Sequence, residues 1–336
     1  MTIDCVQLYR NIQIPEWGIA KVQGLHGKVY TPEKKSYLSE GAFKTCKTAL
    51  DESSQRVARL VLKYSKLAKR YQEYPELIDT IYQKSIKNIE RSDRVLQSLS
   101  DVPGIVRRYG SVETVDKAGN SKFWIFEEFF SEGDLIMFLN KNSLSDKQKH
   151  DLAIQLLTAV ASMHEKGVVH NDLKVDNILI TAEEEGQLRL AICDFDACWK
   201  EGEAMHLDPD FTASYLSPEK ARSYISKSHP KWRSPETWTK ELMIQNDLWA
   251  TGLILYVVYH QREHPLIEEC RIAQHYLMNR GMDAEEAFLR LLVAKSEDPS
   301  RLECSSKIPH EWIIHRLMRP NPPSAKEALA EFRSLF

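Results

Sequence analysis

No stretch of this sequence is both long and apolar enough to cross a bilayer. The most apolar segment, Leu248 to Tyr259, is too short to span and carries Gly252. Neither sign of charge prevails. The 45 Lys and Arg face 48 Asp and Glu, a formal net charge of −3, which leaves no electrostatic footprint for nucleic acid or an anionic membrane. Cysteine is scarce: six occur, at 5, 46, 193, 198, 270 and 304, with no C-x-x-C pair and no metal-ligand spacing. Reduced thiols in a cytosol are the expectation. The opening MTIDCVQLYR lacks a basic segment followed by an apolar one, so no secretory signal is visible. What is present is 43% hydrophobic residues with 9% aromatics, enough for a sizeable core and too much for global disorder. The 336 residues leave room for one large domain or two lobes. A soluble, cytoplasmic globular protein is expected.

Along the chain, residues 1–36 carry few regular patterns. Tyr37 to about Leu62 reads as short strands around a glycine-containing turn, and Leu67 to Leu99 as one long helical stretch. Its apolar positions Ile78, Ile81, Ile86, Ile89, Leu96 and Leu99 recur mostly at three-to-four spacing. After Pro103-Gly104, the segments Ile105–Val115 and Phe123–Phe130 read as two strands about the turn Lys117-Ala118-Gly119-Asn120. The character then turns helical. Ser145 with Gln148 forms a capping-box pattern ahead of the stripe Leu152, Leu156, Leu157, Val160 and Met163, and Gly167 supplies the stop. A small β-rich half joined to a larger helical half is the expected α+β architecture.

The chemistry concentrates in Val169-His170-Asn171-Asp172-Leu173-Lys174-Val175-Asp176-Asn177, followed by Ile192-Cys193-Asp194-Phe195-Asp196. Phosphoryl transfer asks a site to hold metal on phosphates, orient a hydroxyl and neutralise charge. A carboxylate with an amide five residues later serves two of those tasks from one loop. Asp172 would accept the hydroxyl proton, and the side-chain oxygen of Asn177 would ligate a hard cation. Lys174 would sit near the transferred group, and Asp194 would be the second metal ligand.

This string resembles the protein kinase superfamily, and the roles given above to Asp172, Lys174, Asn177 and Asp194 are what that resemblance implies. His170-Asn171-Asp172 stands for H-R-D, with Leu173, Lys174 and Asn177 in register, and Asp194-Phe195-Asp196 stands for D-F-G except at its last residue. The resemblance covers about residues 37–333 and implies a bilobal α+β fold. It implies residues 37–127 as the small lobe, 128–336 as the large lobe and 1–36 as an N-terminal extension. The implied cofactors are ATP and magnesium and the implied partner is a protein substrate, with no nucleic acid and no membrane. The Asp-Leu-Lys-x-x-Asn pattern is similar to Ser/Thr members. A scaffold that binds partners without transfer, and a small-molecule phosphotransferase, are the alternative readings.

Further matches follow in the family's order. Leu38-Ser39-Glu40-Gly41-Ala42-Phe43-Lys44 looks like the glycine-rich loop, making Leu38 and Gly41 nucleotide-binding residues, although Ser39 and Lys44 replace the outer glycines. Overlaying Val57-Ala58-Arg59-Leu60 on V-A-I-K puts Leu60 at the phosphate-binding lysine. A shift to Val61-Leu62-Lys63 restores it at Lys63, with Arg59 as the fallback. Its usual glutamate partner aligns with Ser92, beside Asp93 and Glu90. Glu128-Phe129-Phe130 is similar to the linker that reads adenine, with Glu127 or Phe126 guarding the back pocket and Asp134 reaching ribose or substrate. Downstream, Ser217-Pro218-Glu219 resembles the end of the activation segment, which makes 222–246 an insertion; Ser234-Pro235-Glu236 competes for the same assignment. Asp247-Leu248-Trp249-Ala250-Thr251-Gly252 resembles the buried helix that braces the catalytic loop, and Pro322 stands where the family's terminal arginine belongs. Cys193 and Cys198 are expected as packed thiols, and Lys227, His229, Lys231 and Arg233 as a solvated loop.

Overall fold

The computed structural model describes residues 22–23, 29–40, 44–115, 121–203, 211–225, 238–279, 281–298 and 308–335. They fall into two compact units. The first holds the described residues up to 100 together with Val106–Ser131; the second holds Asp101–Ile105 and the described residues from Glu132 onward.

In the first unit, β1 (Val22–Gln23), β2 (Val29–Glu40), β3 (Lys44–Leu50), β4 (Arg56–Lys63), β5 (Arg108–Val115) and β6 (Ser121–Glu128) make one sheet of order β1-β2-β3-β4-β6-β5. Every pairing in it is antiparallel. Alternation gives the sheet two unlike faces. Leu62, Phe123 and Ile125, with Leu60 beside them, pack on Ile78, Tyr82, Ile86 and Ile89 of helix α2 (Ile78–Ser98). The opposite face clusters Tyr30, Ala49, Val57, Val112 and Phe126, with Tyr30 stacked on Phe126 at 4.3 Å.

The single helix expected over Leu67–Leu99 is two. Helix α1 (Tyr64–Arg70) ends at Tyr71, and α2 begins only after a short 3-10 turn at Pro75–Leu77. Pro75 explains the break: it has no N–H to give to the carbonyl of Tyr71, and its ring would collide with that carbonyl. The strand expected from Ile105 starts at Arg108 instead, because Ile105 belongs to the second unit, where it bridges to Ile192. The turn at Lys117–Asn120 lies outside the described residues, as do Gly41 and Glu236.

The second unit is mainly helical, with short strands at its start. β7 (Gly133–Asp134), β9 (Ile178–Ala182) and β10 (Leu188–Ile192) form a sheet of order β10-β9-β7, while β8 (Val168–Val169) pairs with β11 (Trp199–Lys200). The helices are α3 (Leu135–Leu139), α4 (Asp146–Glu165), α5 (Pro218–Ile225), α6 (Lys240–His260), α7 (Pro265–Met278), α8 (Ala284–Ser296), α9 (Pro309–Leu317) and α10 (Ala325–Ser334). The capping box on α4 forms as its sequence pattern predicts: Ser145 Oγ accepts from the Gln148 amide and Gln148 Oε1 from the Ser145 amide. The helix stops at Gly167, whose φ of +70° is a left-handed value that glycine adopts without strain. Gln155 ties α4 to β10 twice, donating to Leu188 O at 2.8 Å and accepting from Leu190 N at 2.8 Å.

α6 is buried along most of its length, and Gly252 marks its closest approach to α9. A Cβ there would lie 2.7 Å from Met318 Cγ and 3.2 Å from Ile314 O. Of the interval 222–246, the described parts are the end of α5 and the start of α6; residues 226–237 lie outside the described set.

Candidate functional site

β8 leads into the loop that holds His170 to Asn177. Its backbone is fixed from α6: the buried Asp247 carboxylate accepts from His170 N at 2.8 Å and from Asn171 N at 2.9 Å, and meets His164 Nε2 at 3.1 Å. Asn171 has φ +67°, a strained value that asparagine tolerates better than most residues, and the two bonds to Asp247 hold it there. His170 fastens the loop to the next motif. Its Nε2 lies 2.9 Å from Cys193 O, while its Nδ1 accepts from Asp172 N at 3.3 Å. The two bonds agree on one tautomer, with the proton on Nε2.

Asp172 therefore projects from a braced turn, and both carboxylate oxygens are engaged. Thr212 Oγ1 donates to Oδ1 at 2.9 Å and Lys174 Nζ donates to Oδ2 at 2.6 Å. Lys174 Nζ also donates to Thr212 Oγ1 at 3.0 Å, which closes a triangle of carboxylate, ammonium and hydroxyl. Burial presses the Lys174 ammonium toward neutrality, but the charge and hydrogen bond of Asp172, with the charges of Asp194 and Asp176, together outweigh it and hold the pKa above the ordinary lysine value. Asn177 Nδ2 donates to Asp172 O at 2.9 Å, so its amide nitrogen is spent within the loop and oxygen is the atom left for a cation. Asp194, at φ +60°, opens the turn Phe195–Ala197, and Cys193 N donates to Asn177 O at 2.9 Å. The structure thus brings Asp172, Lys174, Asn177 and the Asp194 turn into one hydrogen-bonded group. An amide oxygen and a carboxylate are the donors that magnesium takes.

Three members of this group were missed as such in the sequence. Thr212 stands among the activation-segment residues, but nothing local shows that its hydroxyl reaches a residue 40 positions away. Asn246 accepts from Ser217 N at 2.9 Å, holding Ser217-Pro218-Glu219 to α6. Lys220 is fully buried; its ammonium reaches Asn171 Oδ1 at 3.4 Å and lies 4.7 Å from the centre of the Trp238 ring.

Asp134 caps α3, its Oδ1 accepting from Met137 N at 2.7 Å. Burial raises its carboxyl above the usual range, with the Met137 amide opposing.

Within the first unit, Leu38 is exposed on β2, and Glu128 ends β6 with its amide donating to Arg107 O at 2.9 Å. Lys63 ends β4 on the face opposite α2, whereas Leu60 and Leu62 face that helix. Lys63 makes no ion pair with any described residue. Burial, and then the nearby charges of Lys63 and Arg59, lower the Lys47 pKa. Arg59 lies buried on the same face, 4.8 Å from the Trp124 ring. On the α2 face, Ser92 is buried and donates to Ile89 O within its own helix. Asp93 is taken by Arg108 and Ser111, and Arg108 also pairs with Glu127. The choice between Glu127 and Phe126 resolves into two faces: Glu127 joins Arg108, and Phe126 packs under Tyr30.

Comparison with known proteins gives a family and a set of relatives. The family model for the protein kinase domain matches residues 32–324. The meiosis-specific serine/threonine-protein kinase mek1 of Schizosaccharomyces pombe is 23% identical over 208 residues, 59% of this chain and 45% of that protein. The human phosphorylase b kinase gamma catalytic chain, liver/testis isoform, is 25% identical over 234 residues, 66% of this chain and 53% of its own. CBL-interacting serine/threonine-protein kinase 8 of Arabidopsis thaliana is 24% identical over 298 residues, 88% of this chain and 55% of that protein. The chain spans about half the length of these curated relatives.

Proposed function

Given that the chain belongs to the protein kinase domain family and has its bilobal α+β fold, we propose that it transfers the γ-phosphate of ATP to a serine or threonine of a protein substrate. The observation that carries this reading is the Asp172 carboxylate, held by Lys174 and Thr212 on a loop braced from Asp247. In the reaction the substrate hydroxyl oxygen bonds to the γ-phosphorus and the bond from that phosphorus to the ADP oxygen breaks. Asp172 takes up the hydroxyl proton. Lys174 sets a positive charge beside the oxygen where negative charge spreads, and Thr212 keeps the carboxylate and ammonium in register. Magnesium, held by Asn177 and Asp194, would neutralise the phosphate oxygens. Leu38, Gly41, Lys63, Glu128 and Asp134 are proposed as nucleotide-binding residues on the same resemblance. The mek1 kinase of Schizosaccharomyces pombe and CBL-interacting kinase 8 of Arabidopsis thaliana, both serine/threonine-protein kinases by name, support the choice of acceptor.

The test is Asp172→Asn, assayed with radiolabelled ATP and generic protein substrates. Transfer should fall to background while nucleotide binding stays near wild type, because Asp172 serves the acceptor and not the adenine. Equal transfer by variant and wild type would sink the assignment.

One observation favours a second reading, a scaffold that binds without transfer. The face of β4 that meets α2 carries Leu60 and Leu62 rather than a lysine, and Asp93 is already paired with Arg108.

A further inference from the structure

Far along the chain from the Asp172 loop, the end of α6 meets the first turn of α9 in a cluster of imidazoles around one carboxylate. Glu311 is shared. Its Oε1 lies 2.7 Å from His260 Nε2, and its Oε2 lies 3.7 Å from His315 Nε2. One ligand atom each from His260, His310 and Glu311 falls within 4.8 Å of the others. We propose that these three residues bind a zinc ion, with water completing its shell.

Four features carry the proposal. First, the donor set is right: two imidazoles and a carboxylate are a zinc combination, whereas magnesium and calcium prefer oxygen alone. Second, His260 Nε2 is buried and has no hydrogen-bond partner, although Glu311 Oε1 is close by. The two atoms converge without the alignment of a hydrogen bond, as lone pairs aimed at a common point would. Third, the rings are held in place before any ion arrives. His310 stacks on Tyr259 at 4.0 Å with 2° between the planes, and His260 lies against Tyr256 at 4.2 Å. His315 Nε2 lies 3.7 Å from the far oxygen of Glu311, which places a further imidazole beside the carboxylate. Fourth, the two helices that carry the ligands pack closely, because Gly252 lets α6 approach α9 until a Cβ would meet Met318 at 2.7 Å.

Zinc bonds of about 2.0–2.1 Å put tetrahedral ligands roughly 3.4 Å apart. The widest separation, at most 4.8 Å, therefore has to close by about 1.4 Å, and the 2.7 Å between His260 Nε2 and Glu311 Oε1 has to open by about 0.7 Å, both within reach of small side-chain rotations. The cluster lies near the surface: the side chains of His260 and Glu311 keep 25% and 17% of their exposure, although His260 Nε2 itself is buried.

The experiment strips the purified full chain with EDTA and titrates zinc against a chromophoric chelator, with excess magnesium present throughout. Cobalt(II) spectra are recorded on the same wild-type protein. The wild type should bind zinc in a one-to-one ratio, and the cobalt spectrum should show nitrogen and oxygen ligation with no thiolate band. His310→Gln and His260→Gln should each weaken zinc by at least about 100-fold, beyond the 10–100-fold typical of an outer contact. Asp194→Asn, which alters the proposed magnesium ligands, should leave zinc affinity unchanged. Circular dichroism checks that the glutamine variants fold. Wild-type protein that takes up no zinc at 100 µM, a thiolate band in the cobalt spectrum, or unchanged affinity in folded His260→Gln and His310→Gln would each overturn the site.

Discussion

The ammonium of Lys220 reaches the side-chain oxygen of Asn171 at 3.4 Å while resting on the face of Trp238. Asn171 stands where an arginine in related kinases would hold an activation-loop phosphate, and Lys220 is the cation beside it. Lys220 is fully buried, however, and engaged with both of them. A phosphate on the activation segment would gain nothing from it without unpacking Trp238.

Activity should therefore not require phosphorylation of Thr212, Ser214 or Tyr215. Phosphatase-treated protein is expected to keep the transfer rate of untreated protein. A large loss on dephosphorylation, mapped to one of those residues by mass spectrometry, would show that Lys220 or another cation reads the phosphate after all.

Thr212 gives a sharper test of the triangle around Asp172. Thr212→Ala removes the hydroxyl that links carboxylate and ammonium, and kcat should fall about 10–100-fold with KM for ATP little changed. Thr212→Ser keeps the hydroxyl and should recover most of the rate. Alanine and serine variants with the same kcat would remove Thr212 from the mechanism.

Asp247 is where loop geometry becomes stability. Its buried carboxylate answers two backbone amides and His164, and Asp247→Asn turns one acceptor into a donor facing donors. The cost should be about 3 kcal/mol. At roughly 2–4 °C per kcal/mol or less for a chain of this size, Tm should drop by several degrees in a thermal melt. A variant as stable as wild type would mean that the loop holds itself.

The grouping of the candidate site residues was legible in the sequence because its parts are neighbours: Asp172, Lys174 and Asn177 lie within six residues, and Asp194 follows one hairpin later. The Ser145–Gln148 cap was legible for the same reason. What joins them was not. The partners of Asp172, Asn171 and His170 at Thr212, Lys220 and Asp247 lie 40, 49 and 77 positions away, and no local pattern encodes such pairings. Lys63 shows the limit from another side. Alternation places it with Arg59 on one face of β4, but which face meets α2 is decided by the packing of Leu60, Leu62, Phe123 and Ile125. The break before Pro75 was there to be read, and the apolar stripe on either side of it concealed it.

Nucleotide decides between transfer and scaffold. ATP at about 100 times its dissociation constant should stabilise the fold by about 2.7 kcal/mol, raising Tm by several degrees in the presence of magnesium. Asp194→Asn should abolish the magnesium dependence, while Asp196→Gly should preserve transfer. No shift in the wild type under saturating ATP and magnesium would favour the scaffold.

Gly252→Ala probes the helix pair beneath the histidine cluster. The added methyl group would meet Met318 Cγ at 2.7 Å, Ile314 O at 3.2 Å and Leu317 Cβ at 3.4 Å. Overpacking of this kind costs about 1–3 kcal/mol, visible as a lower urea midpoint. An unchanged midpoint would show that α6 and α9 part easily.

The two bonds from Gln155 to β10 also decide what the short sheet can do outside its own chain. A strand with one unpaired flank is a template on which a foreign strand can add. On that flank of β10, Leu188 O and Leu190 N are taken by the Gln155 amide, and Ile192 N donates to Gly104 O at 2.8 Å. A side-chain amide and one loop carbonyl stand in for a neighbouring strand. They occupy the open flank of the β9–β10 hairpin, which lies between Asn177 and Asp194, so a foreign strand would have to displace them to add there.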